Sequence, residues 1–182
     1  MATPLSNILL QRMVVEIGAK SETSLDNSTP NDPFTLTHAI AFAFGSGASQ
    51  YDLVWHDTRL LAAGASEELD VAGGLTDAFG NTLTFDNLKV IFVANASDEA
   101  ITDPSHTATI ADLLIGGSAT PVPVFDNAGD ILPLGAGDVF LTTAKAAAGI
   151  DVTAATGDLL KIENNSGSLE AAYRIALFGD SA

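Results

Sequence analysis

Short apolar runs, separated by turn residues, recur along the whole chain. Each run is rich in valine, isoleucine, leucine or phenylalanine, and glycine with asparagine or aspartate interrupts the pattern about every 10–15 residues. β-Branched and aromatic residues favour strands, whereas Gly, Asn and Asp favour turns. The pattern contains about nine or ten strand candidates and few helix caps. It therefore predicts an all-β fold, an antiparallel β-sandwich or jelly-roll-like domain.

Residues 66–96 show this pattern most clearly. Two strand-like runs, SEELDV and LTFDNLKVIFVANA, flank the segment GGLTDAFGNT, in which glycines and Asp/Asn residues mark turns. The second run contains VIFV at residues 90–93, a continuous apolar patch that we predict to be buried. If Phe92 is a core residue, Phe92→Ala should cost about 3–5 kcal/mol of stability.

Alternation in three further runs predicts which side chains share one face of a strand, because successive residues point to opposite sides. Residues 34–47, FTLTHAIAFAFGSG, place large residues and His38 on one face and small residues on the other. We interpret His38 as a structural residue rather than a ligand. The same argument groups two more sets, which are Tyr51, Leu53 and Trp55, and Tyr173, Ile175 and Leu177.

The sequence contains no recognisable catalytic constellation. His56 and Asp57 are adjacent, and neighbouring side chains of a strand point to opposite faces, so these two cannot act as base and orienting acid. Paired carboxylates and nucleophile–base pairs are not identifiable elsewhere. We therefore predict no enzymatic activity and no catalytic residues, and we expect Arg59 to pair with Asp57 or Glu67.

Metal and cofactor binding are not predicted either. The chain has no cysteine, which excludes disulfides and thiolate metal sites. The loop at residues 95–108 carries Asp98, Glu99 and Asp103, which leaves calcium as a minor alternative, but their spacing does not match a D-x-D-x-D-G loop. The segment GSGASQ at residues 45–50 lacks the last glycine of GxGxxG and precedes no helix, so it does not predict nucleotide binding.

The charge of the chain limits its partners. Acidic residues outnumber basic ones 23 to 7, and the net charge is −16. A field of this sign repels nucleic acid, so we predict no nucleic-acid partner. The N-terminal segment has no basic region before its apolar residues, and Arg12 interrupts them, so it does not resemble a signal peptide. No apolar stretch is long enough to span a bilayer, and we predict no membrane partner.

The first part of the chain differs from the rest in composition. Residues 20–33, KSETSLDNSTPNDP, are polar and contain two prolines, which is typical of a linker or an extended arm. An arm that lies across a neighbouring subunit and a long surface loop remain alternatives. The preceding VVEI favours a strand. We therefore divide the chain into an N-terminal strand and arm, residues 1–33, and a β-sandwich domain, residues 34–182.

Two parts of the chain resemble structural proteins of tailed bacteriophages. The resemblance is strongest over residues 51–85, YDLVWHDTRLLAAGASEELDVAGGLTDAFGNTLTF. Residues 155–179, with GDLLKIENNSGS and AAYRIALFG, resemble the C-terminal end of the same family. Residues 1–33 and 92–133 depart from the family pattern. The resemblance implies a non-enzymatic structural component of a virion.

The resemblance and the acidity together favour a capsid decoration (cement) protein. Such a protein binds the outside of a tailed-phage head and stabilises contacts between subunits of the major capsid protein. Its acidity suits the capsid exterior better than the DNA-facing interior. Symmetric oligomers suit lattice axes, and we prefer a homotrimer over a homodimer. The alternative is a tail, neck or baseplate component, which would include receptor or carbohydrate binding.

Overall fold

A computed structural model describes residues 11–21, 32–98 and 108–181 of the chain. These residues form fourteen β-strands and no helix, which confirms the predicted all-β fold. The chain divides into two compact units, Met1–Phe44 and Gly45–Ala182. The boundary predicted at residue 33 therefore falls inside a strand of the first unit.

The first unit is built on two long paired strands. β1 (Gln11–Ser21) and β2 (Asp32–Phe44) run antiparallel. The strands predicted from VVEI and from FTLTHAIAFAF are thereby confirmed. Both ends of the proposed arm, residues 20–33, belong to these strands, and residues 22–31 lie outside the described residues. The side chain of His38 lies outside them as well.

The second unit is a sandwich of two antiparallel sheets. Its strands are β3 (Gln50–Tyr51), β4 (Leu53–Leu61), β5 (Ser66–Asp70), β6 (Leu75–Thr76), β7 (Thr82–Leu83), β8 (Asn87–Asn95), β9 (Leu113–Gly116), β10 (Ile131–Leu134), β11 (Val139–Thr143), β12 (Ile150–Asp151), β13 (Leu159–Asn164) and β14 (Ala171–Asp180). The smaller sheet has the order β10-β9-β13-β5, and the larger sheet has the order β11-β8-β14-β4, with β12 also paired to β8. β6 and β7 form a separate hairpin. The central block at residues 66–96 thus contributes β5 to one sheet and β8 to the other.

The core lies between the two sheets. β14 is a central strand of the larger sheet and buries Tyr173, Ile175 and Leu177, as the alternation predicts. From the smaller sheet, Leu160 and Ile162 are fully buried in the same cluster. Burying an aliphatic side chain of this size contributes about 1.5–3 kcal/mol, so these strands fix how the sheets pack.

The prediction that all of VIFV is buried is wrong for one residue. Ile91 and Val93 are fully buried in the core, whereas Phe92 is only half-buried. Phe92 lies opposite Ala176 of β14, on the side of the sheet that faces away from the core. Side chains of a strand alternate between two faces even when all of them are apolar. The cost of about 3–5 kcal/mol expected for a core phenylalanine therefore does not apply to Phe92.

The predicted common face of Tyr51, Leu53 and Trp55 is also wrong in part. Leu53 and Trp55 pack with the core, but Tyr51 lies outside the core cluster and packs edge-on against Phe178, with ring centroids 5.2 Å apart. A bend at Asp52 separates β3 from β4. The alternation of one strand does not continue through such a break, and Tyr51 consequently faces the other way.

Residues 109–144 contain the strands that the sequence predicts least well. Flanking Gly and Asp/Asn turns predict strands for ADLLIGG and GDVFLTTA, which form β9 and β11, and a turn for the segment that contains ILPL, which instead forms β10. PVPVF contributes only the isolated bridge between Pro121 and Leu159, in agreement with its two prolines. The apolar sequence of β11 predicts a buried strand, yet β11 lies at the edge of the larger sheet with Val139 53 % exposed.

A buried ion pair lies at the C-terminal end of β14. Lys89 and Asp180 are both almost fully buried, and Lys89 Nζ lies 3.0 Å from Asp180 Oδ2. The ammonium also donates to the carbonyl oxygens of Ala146 (3.0 Å) and Ala147. Asn87 Nδ2 donates to Asp180 Oδ1 at 2.9 Å. The short C-terminal tail DSA, residues 180–182, is a segment that the sequence predicts to be frayed. This prediction is wrong for Asp180, because the network holds it in place.

Candidate functional site: an apolar sheet face and a cleft along strand β4

The face of the larger sheet that points away from the core is apolar rather than polar. We call it the outer face, and strand register assigns fourteen side chains to it: Val54, His56, Thr58, Leu60, Val90, Phe92, Ala94, Val139, Leu141, Thr143, Ala172, Arg174, Ala176 and Phe178. None of these fourteen is a carboxylate, although the register continues the same side of the sheet to Asp180 of β14 and Asp151 of β12. Antiparallel sheets that cover a core with one face usually carry polar residues on the other. The outer face breaks that rule.

The smaller sheet follows the usual rule and provides a comparison within the same unit. Its strands β5 and β13 direct Leu69 and Leu160 into the core. On the opposite side, Glu68 pairs with Lys161 across the two strands, and Glu163 lies within 2.7 Å of the Lys161 ammonium. The two outward surfaces of the sandwich therefore differ in charge. The smaller sheet is charged, whereas Arg174 and His56 are the only ionisable groups among the fourteen side chains of the outer face.

A second candidate surface is a cleft that runs along β4. One wall is the segment Val54, Trp55, His56 and Asp57, and the other is residues 76–79 with Phe79 at its end. The cleft has a volume of about 410 Å³. We call it the β4 cleft. Phe79 is 91 % exposed, which is unusual for an aromatic residue in an ordered turn.

The loop at residues 77–81, which we call the Phe79 loop, is held by one carboxylate. Asp77 Oδ1 accepts the N–H groups of Phe79 and Asn81, both at 2.8 Å, and Asp77 Oδ2 accepts from Asn81 Nδ2 at 2.9 Å. The hydrogen bonds from Asn81 lower the pKa of Asp77, and those from the backbone of Phe79 and Gly80 add to this effect. Gly80 has a φ of 84°, a left-handed conformation that suits glycine. The loop is therefore ordered before any partner binds.

A charged network lies on the core side of β4, next to the cleft. Arg59 Nε is 3.0 Å from Asp57 Oδ2, and Arg59 Nη1 also pairs with Glu67. The prediction that Arg59 pairs with one of these carboxylates is confirmed for both. The guanidinium lies 5.4 Å from the ring centroid of Trp55, and the Tyr173 hydroxyl donates to Glu67 at 2.6 Å. The network links the two sheets, because β5 carries Glu67 and β14 carries Tyr173.

The stability of the second unit should fall at alkaline pH because of Tyr173. Burial, and then the hydrogen bond and charge of Glu67, raise the pKa of Tyr173 above its ordinary value. Since the folded state disfavours the phenolate, this stability is present below about pH 10, the pKa of an unfolded tyrosine, and is lost as the pH rises further. Tyr173→Phe should lower the free energy of unfolding by about 1–3 kcal/mol at pH 7. It should also flatten the alkaline decline in urea titrations between pH 7 and 11. Equal slopes for both proteins above pH 10 would contradict this assignment.

The residues considered for catalysis are occupied in other ways. Asp57 accepts from the Thr58 N–H at 2.8 Å and from Arg59, and His56 is exposed on the outer face. Among the described residues, no three His, Cys, Asp or Glu side chains are placed to hold a metal ion. Asp98 is described, but Glu99 and Asp103 are not. The predicted absence of enzymatic activity and of a cofactor stays a prediction.

The sequence does not predict either surface, although one signal was available. In DAFGN, an Asp and an Asn surround an aromatic residue in a glycine-containing turn, and an aromatic side chain at such a tip cannot reach the core.

No family model matches the chain, and no curated protein and no solved structure matches it. No helix in the described part of the chain is long and apolar enough to cross a membrane.

Proposed function

We propose that the protein is a non-enzymatic structural component of a tailed-phage virion, namely a capsid decoration protein that binds the outside of the head. It stabilises contacts between subunits of the major capsid protein and does so as a homotrimer. The family resemblance of residues 51–85 and 155–179 motivates the assignment. The single structural observation that carries it is the outer face, which offers a binding surface and no chemistry.

The outer face suits a broad protein partner for two reasons. It is apolar over most of its area, and Val54 (37 % exposed) and Val139 (53 % exposed) still have surface to bury at its margins. Its fourteen side chains also include no carboxylate in a chain of net charge −16, and Asp151 lies only at the end of this side of the sheet, so of the two outward surfaces of the sandwich it is the one that carries less negative charge. Arg174 is exposed on this face and gives it a local positive charge. A capsid surface with apolar residues and carboxylates at its margin complements these features.

The position of the protein in the virion tests the proposal directly. We expect labelled antibody or a cryo-EM map of intact virions to place it on the head exterior. Purified protein should also rebind heads from which it has been removed, and Arg174→Glu should weaken that binding at least about tenfold. Lys161→Glu is the matched control, because it reverses a charge on the smaller sheet, and should change binding less than about twofold. An equal loss of head binding in both variants would show that the outer face does not contact the capsid.

A tail, neck or baseplate location is the second candidate function. The observation that favours it is the exposed ring of Phe79 beside the β4 cleft, because exposed aromatic residues are common in receptor-binding and carbohydrate-binding sites. Trp55 supports it less, since the residue is 7 % exposed and lies beneath Arg59. Detection of the protein on tails alone would replace the decoration assignment with this one.

A further inference from the structure

We propose that strand β1 of a second copy adds to the free edge of β4 and fills the β4 cleft. The inference deepens the self-association part of the proposed function and rests on it. It names the two surfaces through which copies of the chain meet. One is the edge of β4 with the Phe79 loop, and the other is the edge of β1 that does not pair with β2.

The edge of β4 has the properties of a strand-binding site. Within the second unit, β4 pairs with β14 on one side, and no described strand of that unit pairs with its other side. The strand is nine residues long, and Val54 to Asp57 form a wall of the cleft. An unpaired edge of this length is a template on which another chain can add a strand.

The opposite wall adds an anchor for the incoming strand. Phe79 is almost fully exposed, and Asp77 holds its loop through three hydrogen bonds. Because the loop is already ordered, burying the ring on association costs little conformational entropy. Aromatic residues are enriched in protein interfaces, and those that become buried in a pocket of the partner can carry much of the binding energy. The Phe79 loop therefore fits a role in covering whatever lies in the β4 cleft.

Strand β1 is the occupant that the charges favour. The walls of the cleft carry the carboxylates Asp57 and Asp77. β1, QRMVVEIGAKS, contains Arg12 and Lys20 and a single acid, Glu16. Among the described strands only β1 and β8 have more basic than acidic residues, and β8 is paired on both sides. An electropositive strand therefore matches an acidic cleft in a chain that is otherwise strongly acidic.

The geometry of β1 agrees with this role. It is eleven residues long, enough to cover the nine residues of β4. Within the first unit it pairs with β2 only, so no described strand of that unit occupies its other edge. The contact uses different surfaces on the two copies and is heterologous, and such contacts end only when a ring closes. A closed ring of three copies gives the homotrimer of the proposed function.

Cysteine cross-linking between full-length copies tests the inference without background, because the chain has no cysteine. One preparation carries His56→Cys on β4, and a second, tagged preparation carries a cysteine at one of residues 14, 15, 16 or 17 of β1. After mixing and mild oxidation, we expect linked species that contain one copy of each. Their yield should alternate with a period of two along β1, since only one face of β1 meets the face that carries residue 56. Lys161→Cys in place of His56→Cys is the control and should give no such species.

Three results would overturn the inference. The first is a link between two copies of His56→Cys, which would indicate a symmetric contact. The second is a link that forms only within one chain when both cysteines are placed in the same chain. The third is a yield of links no higher than in the Lys161→Cys control. Phe79→Ala should weaken self-association about 10- to 100-fold in analytical ultracentrifugation. Ile110→Ala, which removes another exposed apolar side chain (80 % exposed), should leave it unchanged. These measurements use purified protein, so they can fail while the protein is still found on heads, or succeed while it is found on tails.

Discussion

Asp180→Ala should destabilise the second unit by about 3–5 kcal/mol, a large part of the stability of a domain of this size. The substitution leaves the Lys89 ammonium buried without its carboxylate, in a site where Lys89 is fully inaccessible to solvent. Removing one partner of a buried pair is costly because the desolvated charge that remains is no longer compensated. Urea denaturation should show a lower midpoint with an unchanged slope.

Two further variants separate the charge from the packing. Asp180→Asn keeps the shape and the contact with Asn87 but removes the negative charge, so its cost should lie below that of Asp180→Ala. The double variant Lys89→Met with Asp180→Leu removes both charges and should recover most of the lost stability, since well-packed apolar pairs often replace buried ion pairs. A cost below about 1 kcal/mol for Asp180→Ala would show that Lys89 finds other compensation, such as the carbonyls of Ala146 and Ala147.

Removal of residues 1–44 should leave a folded second unit that no longer self-associates or binds heads at the level of the full chain. The unit should fold because every residue of its core cluster lies between Trp55 and Leu177. Self-association should weaken at least about tenfold, since the truncation removes β1 from the proposed interface. Light scattering coupled to size-exclusion chromatography measures self-association, and co-sedimentation with heads measures binding to the capsid.

The choice of the end point matters for this truncation. The division predicted from sequence, after residue 33, removes β1 but leaves most of β2 without its partner strand. A strand of that length without β1 exposes an edge, which would complicate the interpretation of the association measurement. Removal of residues 1–10 is the control, because both strands begin later, and it should preserve association. A 45–182 fragment that forms trimers as tightly as the full chain would end the role proposed for β1.

The sequence predicts the fold class because local patterns carry it. Short apolar runs and Gly/Asx turns are properties of neighbouring residues, and the face shared by Tyr173, Ile175 and Leu177 follows from alternation alone. Errors arise where one residue changes the alternation. The bend at Asp52 turns Tyr51 away from the core. At Lys89 the pairing of β8 with β14 shifts by one residue, and a shift of this kind is not visible in the sequence.

The candidate surfaces could not be predicted in the same way. The outer face combines residues of four strands that are far apart in sequence, and its lack of carboxylates appears only when the register aligns Ala94, Arg174 and Thr58. Apolar residues on both sides of β8 resemble a fully buried strand, so the sequence assigns Phe92 to the core. The pairing of Arg59 is different, because Asp57 lies two residues away and Glu67 eight, and local proximity was sufficient to predict it.

The central position of β14 has a consequence for synthesis of the chain. β14 is hydrogen-bonded to β8 on one side and to β4 on the other, so neither of these strands has its main partner until residues 171–180 have been made. Translation at about 5–20 residues per second needs roughly 4–15 s to proceed from the end of β8 to the start of β14. During that interval β4 has no partner strand in the larger sheet, and β8 has only its edge partners β11 and β12 once these have been made. The larger sheet therefore assembles late, and until then an edge of each of these two strands is open to wrong pairing.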